Sequence, residues 1–331
     1  VKRPYFFELV VVANLIVLGL GVKLGFIPMM AFPERIILKV IVSVAAQAAL
    51  GVAVRAVVAL VRRERAYFRI IRSRRWLLDT VRIVVGSSVI IYVYGWIKLV
   101  VPIVHPTLFD EALWNLDQLL CFGIAPALFV LDLFGHPAVL RAVDWSYANI
   151  FAASIIVGGA YFLSDPSRRI RIAFANGYAL LWLSGAWLYM LVPSLGPAYR
   201  FPDIWMPHGE SLRTTQRFQA LLMRNYQNVL RAWYGQAHGS VSIMFGIGAF
   251  PSLHVAFQTY VFLWMRRLWT SGEVLFGIFV VVILLGSMIT GWHYLIDGIA
   301  GLLLGFVCYR IFARRANLHR FLALRRSLRQ T

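Results

Sequence analysis

Phe250-Pro251-Ser252-Leu253-His254 opens one apolar run, and Gly291-Trp292-His293-Tyr294-Leu295-Ile296-Asp297 opens another. Each run is long enough to cross a bilayer. Between them lie one membrane helix, a turn carrying Arg266 and Arg267, and a second helix. Such an excursion returns the chain to the face it left, so His254 and His293 are expected on one side of the membrane. Helix N-termini attract anions, and imidazole can attack phosphorus or move protons. A single interfacial histidine is often only a polar tip at the headgroup boundary. Here Asp297 stands four residues after His293, where a carboxylate can fix the imidazole tautomer. A carboxylate near the start of a membrane helix is itself a functional signal.

Composition sets the class. The 331 residues are 60% hydrophobic, and the mean hydropathy is +0.72. A soluble domain is excluded, and the expected fold is an all-α polytopic membrane protein. About eight spans are expected, near 6–24, 36–61, 79–103, 141–163, 171–194, 252–267, 273–290 and 294–313. The first follows Lys2 and Arg3 without a small-residue cleavage site and reads as an uncleaved anchor. The organisation expected is two N-terminal helices and a basic loop (1–78), a six-helix core with a long loop at 196–250 (79–313), and a basic tail (314–331). Cys121 and Cys308 fall in different segments and suggest neither a disulfide framework nor a zinc site. No carboxylate cluster suits magnesium, so neither cofactor nor metal is expected.

The net charge of +19 is unevenly spread. Arg62, Arg63, Arg65, Arg69, Arg72, Arg74 and Arg75 crowd the second connection, and Arg168, Arg169 and Arg171 flank the fourth. Arg310, Arg314, Arg315, Arg320, Arg325, Arg326 and Arg329 fill the tail. With eight spans these share a face, which the positive-inside rule makes cytoplasmic, together with both termini. They read as orientation signals and as attraction to anionic headgroups, not as a nucleic-acid surface. The histidine motifs then face the extracytoplasmic side and a lipid in the outer leaflet.

On that outer side His105-Pro106 ends the third span. Leu108, Leu113, Leu116, Leu119 and Leu120 then recur at helical spacing opposite Asp110, Glu111, Asn115 and Asp117. This predicts an amphipathic helix lying in the interface and packing over the bundle. Lys98, near the outer end of the third span, either snorkels or reaches a phosphate. The fifth span ends in Val192-Pro193-Ser194-Leu195-Gly196-Pro197-Ala198-Tyr199-Arg200-Phe201-Pro202, a forced turn. Arg200, beside Tyr199, is the nearest basic candidate there for a phosphate clamp, since its planar fork binds two oxygens. In the loop at 196–250, Arg213, Arg217, Arg224 and Arg231 form a helical stripe against the charge rule. They are either solvated or a basic lid that gathers an anionic substrate. Ser252 can cap the sixth span, whose free N–H groups suit a phosphoryl oxygen.

The pattern F-P-S-L-H followed by G-x-H-Y-x-x-D-x-x-x-G resembles the type-2 phosphatidic acid phosphatase superfamily, over six helices from about residue 80 onward. It looks closest to the branch of the inositol phosphorylceramide synthases, which are lipid phosphotransferases. The resemblance implies that His293 is the nucleophile, that His254 donates a proton to the leaving group and that Asp297 orients His293. Leu253 replaces a glycine common in phosphatase members, and Gly286-Ser287 replaces their Ser-Arg pair. Those members also carry a lysine well before an Arg-Pro pair, and no lysine stands so before Arg200. Three functions remain: a transferase moving a phospho-headgroup, phosphoinositol-like among others, to an alcohol; a lipid phosphate phosphatase using water; and a non-catalytic lipid transporter. The charged groups gather at one face rather than at the midplane, which argues against the transporter.

Overall fold

The structure, a computed structural model, describes residues 3–29, 34–236, 239–269 and 272–315. Lys2 and the tail arginines Arg320, Arg325, Arg326 and Arg329 lie outside the described residues, as do the side chains of Arg314 and Arg315. Everything described is helix, turn or loop, with no strand. The long helices are α1 (Phe6–Lys23), α2 (Glu34–Val61), α4 (Arg74–Val104), α7 (Pro137–Leu163), α8 (Arg168–Leu191), α11 (Arg213–Trp233), α12 (Leu253–Leu268), α13 (Glu273–Ile289) and α14 (Leu295–Arg315). Shorter ones are α3 (Arg65–Ile71), α5 (Asp110–Leu120), α6 (Pro126–Leu133), α9 (Pro197–Arg200) and α10 (Pro202–Trp205).

Among the described residues, five helices are long and apolar enough to cross a membrane: α1, α2, α4, α7 and α14. Helix α13 is apolar but shorter. Helix α12 has only 16 residues and sits at the centre of the bundle, with Val255, Ala256, Phe257, Gln258, Thr259, Tyr260 and Val261 all buried. A helix enclosed by other helices needs no lipid-facing apolar stripe, so hydropathy alone under-reads it.

The α12–α14 contact matters most for the site. Gly301 and Gly305 of α14 lie against the backbone oxygens of Ser252 and Ala256, where an added Cβ would collide. Small residues four apart let two backbones approach closely. The Ser252 N–H accordingly donates to the Asp297 carbonyl at 2.9 Å, which ties the start of α12 to the start of α14.

Buried carboxylates complete the helix ends. Asp110 of α5 accepts from the N–H groups of Leu195 and Gly196 and from the Tyr294 hydroxyl. Asp117 accepts from Leu295 and Ile296 N–H at 2.7 and 2.8 Å, capping α14. Asp144 of α7 does the same for α11 through Thr214 and Thr215. Helix α5 is amphipathic as the sequence predicts, and its aspartates turn towards the bundle. Asp110, Leu113 and Asp117 face inward, while Leu116, Leu119 and Leu120 face outward. Open helix ends need acceptors, and next to lipid the leucines are at home outside.

Asp117→Ala leaves two N–H groups without their acceptor, at about 1–3 kcal/mol each. Its melting temperature in detergent should drop clearly below wild type, and Asp117→Asn, which keeps one acceptor oxygen, should fall between. Equal melting of all three proteins would remove this capping role.

Candidate active site

The connection between α13 and α14 carries His293. Helix α13 ends at Ile289 with Thr290 as its C-cap, and Gly291 follows with φ +72, a backbone that residues other than glycine rarely adopt. The N–H groups of Trp292 and His293 both donate to the Ser287 carbonyl, at 2.9 and 3.2 Å. Ser287 thus shapes this loop through its backbone. Tyr294 N–H donates to Asp297 Oδ2 at 2.9 Å, which holds the carboxylate one turn below the imidazole.

Asp297, His293 and His254 form a line. His293 Nδ1 lies 3.4 Å from Asp297 Oδ2, and His293 Nε2 lies 3.4 Å from His254 Nδ1. The first contact is not a hydrogen bond, and His293 Nδ1 and Asp297 Oδ1 have no hydrogen-bond partner among the described residues. Catalytic contacts are often loose in an empty site and tighten with substrate. A proton on Nδ1, towards Asp297, leaves the Nε2 lone pair facing His254. The His254 ring is held edge-on by Phe151, with centroids 4.4 Å apart.

Both histidines line a cavity of about 500 Å³. Its walls are aromatic, with Tyr94, Tyr147, Phe151, Trp182, Tyr189 and Trp292, and Phe218 and Leu222 of α11 contribute as well. Among the described residues, Lys98 is the one lysine or arginine in the lining. Its ammonium sits 5.1 Å from the Tyr189 ring centroid and 5.6 Å from that of Tyr94, and no carboxylate pairs with it among the described residues. Among the described residues no group of three or more His, Cys, Asp or Glu side chains is arranged to hold a metal ion.

A family model of the PAP2 superfamily matches residues 111–311. The chain belongs to the PAP2 superfamily. Comparison with curated proteins and with solved structures found no match. Membership in the PAP2 superfamily points to phosphatase or phosphotransferase chemistry.

In this PAP2 chain the motif histidines, Asp297 and Lys98 converge, and the other sequence candidates lie elsewhere. The Ser252 hydroxyl is fully buried and caps α12, accepting from Val255 N–H. The Tyr199 hydroxyl donates to the Gln219 carbonyl at 3.0 Å. The Arg200 guanidinium is half-exposed and pairs with Glu111 outside the cavity. Arg213, Arg217, Arg224 and Arg231 face outward, while Thr214, Thr215, Phe218 and Leu222 of the same helix line the cavity. The α11 side of the cavity is therefore uncharged. The turn around Arg200 holds the nearest basic candidate by sequence, but the cation that lines the cavity is Lys98 of α4, well before that turn in the chain. Lys98 stands seven residues before His105-Pro106, a lysine ahead of a basic-residue–proline pair.

Burial pushes the His293 imidazole down to about 3, with the positive charge of Lys98 acting the same way. A depressed value keeps the ring neutral, and a neutral ring is what a nucleophile requires. In the substrate-free protein the His293 ring signal in histidine-labelled NMR, assigned with His293→Gln, should not titrate between pH 5 and pH 8. A midpoint near pH 6.5 would show that the ring is open to water.

Proposed function

We propose that the protein is a membrane lipid phosphotransferase that moves a phospho-headgroup from a lipid donor to an alcohol acceptor through a phosphohistidine. The observation that carries this reading is the Asp297–His293–His254 line beside Lys98 in one aromatic cavity. His293 Nε2 attacks phosphorus and the P–O bond to the donor alcohol breaks. His254 gives its proton to the departing oxygen, and Lys98 balances the charge on the non-bridging oxygens. The acceptor alcohol then attacks phosphorus, its proton passes to His254 and the P–N bond breaks. The direct contact between the two rings leaves no room for phosphorus, so substrate must part them.

Two features support an alcohol acceptor and a place beside the inositol phosphorylceramide synthases. The cavity walls are largely apolar and aromatic, which suits a lipid alcohol better than bulk water. Gly286-Ser287 also stands where phosphatase members carry Ser-Arg. The reading includes eight spans, with α8, α12 and α13 joining the five apolar ones. It puts both termini in the cytoplasm and the cavity on the extracytoplasmic face, open to the outer leaflet.

The test is purified protein with isotope-labelled phospholipid donors, with and without a lipid alcohol, in excess chelator. A new phosphodiester that forms only with the alcohol is expected. Release of the same phosphate product at the same rate in both arms would make the protein a hydrolase. A cysteine at position 213 should react with an impermeant reagent outside intact cells and one at position 72 should not, and the reverse would invert the topology.

A further inference from the structure

At the opposite end of the bundle the helices bring arginines together. Helix α4 begins with Arg74 and Arg75, and α8 begins with Arg168 and Arg169, with Arg171 one turn in. Neither first turn contains an acidic residue. The positive ends of two helix dipoles thus coincide with cations, an arrangement unfavourable by itself and favourable around an anion. Between these ends lies a cavity of about 830 Å³ lined by Arg75, Arg168, Arg169 and Arg171. Lys98 lies 23 residues along α4 from Arg75, which sets the two sites about 35 Å apart.

The charges here are not balanced by the fold. The one carboxylate in the lining is Asp79, and it is taken up by Arg168 at 2.8 Å and by the Tyr5 hydroxyl. Arg75 and Arg169 have no carboxylate within ion-pair distance among the described residues. Arg171 is 2% exposed, and its Nε has no hydrogen-bond partner. Its guanidinium lies over the Trp76 ring at 4.4 Å and, among the described residues, donates to the Trp76 carbonyl and the Thr80 hydroxyl. A buried guanidinium with spare donor capacity and no carboxylate in direct contact among the described residues can take up an anion. Phe6, Ile172 and Phe312 supply an apolar wall to the same cavity, so an acyl chain can lie beside a charged head.

We propose that this arginine cavity is a second binding site, distinct from the catalytic cavity, that holds a phosphate-bearing anion, with an anionic phospholipid headgroup as its occupant. The proposal does not depend on which reaction the histidine site performs.

The experiment uses the full chain in detergent, titrated with phosphatidic acid, with phosphatidylcholine and with inorganic phosphate, and bound species are counted by native mass spectrometry. Wild type is compared with the surface double variant Arg75→Gln/Arg169→Gln and with Arg171→Met. The catalytic cavity is intact in all of them, so only variant-sensitive binding reports on the arginine site. Removing two arginines should weaken one phosphatidic acid site about thirtyfold, with no such change for phosphatidylcholine. Displacement of that lipid by millimolar inorganic phosphate would support a site that also takes free phosphate, and retention would support a headgroup site alone. If Arg171→Met does not fold, the surface double variant decides. Phosphatidic acid binding equal in wild type and the double variant would overturn the proposal.

Discussion

Replacing His293 by alanine is expected to lower turnover by about 10⁴-fold or more while the protein still folds and stays monodisperse. The His293 loop is set by Gly291 and by the Ser287 carbonyl, and α14 is capped by Asp117. What alanine removes is the nitrogen proposed to form the bond to phosphorus. Asp297→Asn should cost less, because the amide still sits beneath the ring, but it no longer favours the tautomer that leaves Nε2 free. The two effects should not add, since both act through one nitrogen. His293→Ala at near-wild-type rate would show that another group attacks phosphorus.

Lys98→Met is expected to lower kcat/KM by about 10²–10³-fold, the range found when one charge-stabilising donor is removed from a reacting centre. Among the described residues Lys98 is the one lysine or arginine lining the cavity, and no other of them stands ready to replace it. Lys98→Arg should recover part of the loss, because the charge returns on a longer, planar head. Arg200→Ala, whose guanidinium pairs with Glu111 outside the cavity, should leave the rate within a few-fold of wild type. A large loss at Arg200 with no loss at Lys98 would return the clamp to the turn after α8.

The site was legible in the sequence where its parts are close together in the chain. A histidine and a carboxylate four apart at a helix start are one turn apart by geometry alone, and a there-and-back pair of helices returns His254 to the same face. Lys98 was visible as a basic residue near that face, but its neighbours Tyr189 and His293 are far along the chain. Periodicity showed two faces on α5 and on α11 without showing which face turns inward. In water the acidic face of α5 would point out. Next to lipid it turns in, because Asp110 and Asp117 meet backbone N–H groups that have no other acceptor. On α11 the inward polar residues are neutral. Gln219 donates to the Thr290 carbonyl, and Asn225 donates to the carbonyls of Ser242 and Phe245. Such amides can be buried against carbonyls, whereas the arginines would enter with an uncompensated charge and so remain outside. The same limit applies to the arginines of α4 and α8, where the sequence shows a basic rim and only the packing of the two helix starts shows a cavity.

The most direct measurement is to trap the intermediate. Protein mixed with a phosphorus-labelled lipid donor, without an acceptor alcohol, is quenched in base, digested and mapped by mass spectrometry. The account predicts an acid-labile, base-stable phosphate-linked adduct on the peptide carrying His293, absent in His293→Ala and discharged when the alcohol is added before quenching. Label on the peptide carrying His254, or turnover with no labelled histidine at any time point, would contradict it.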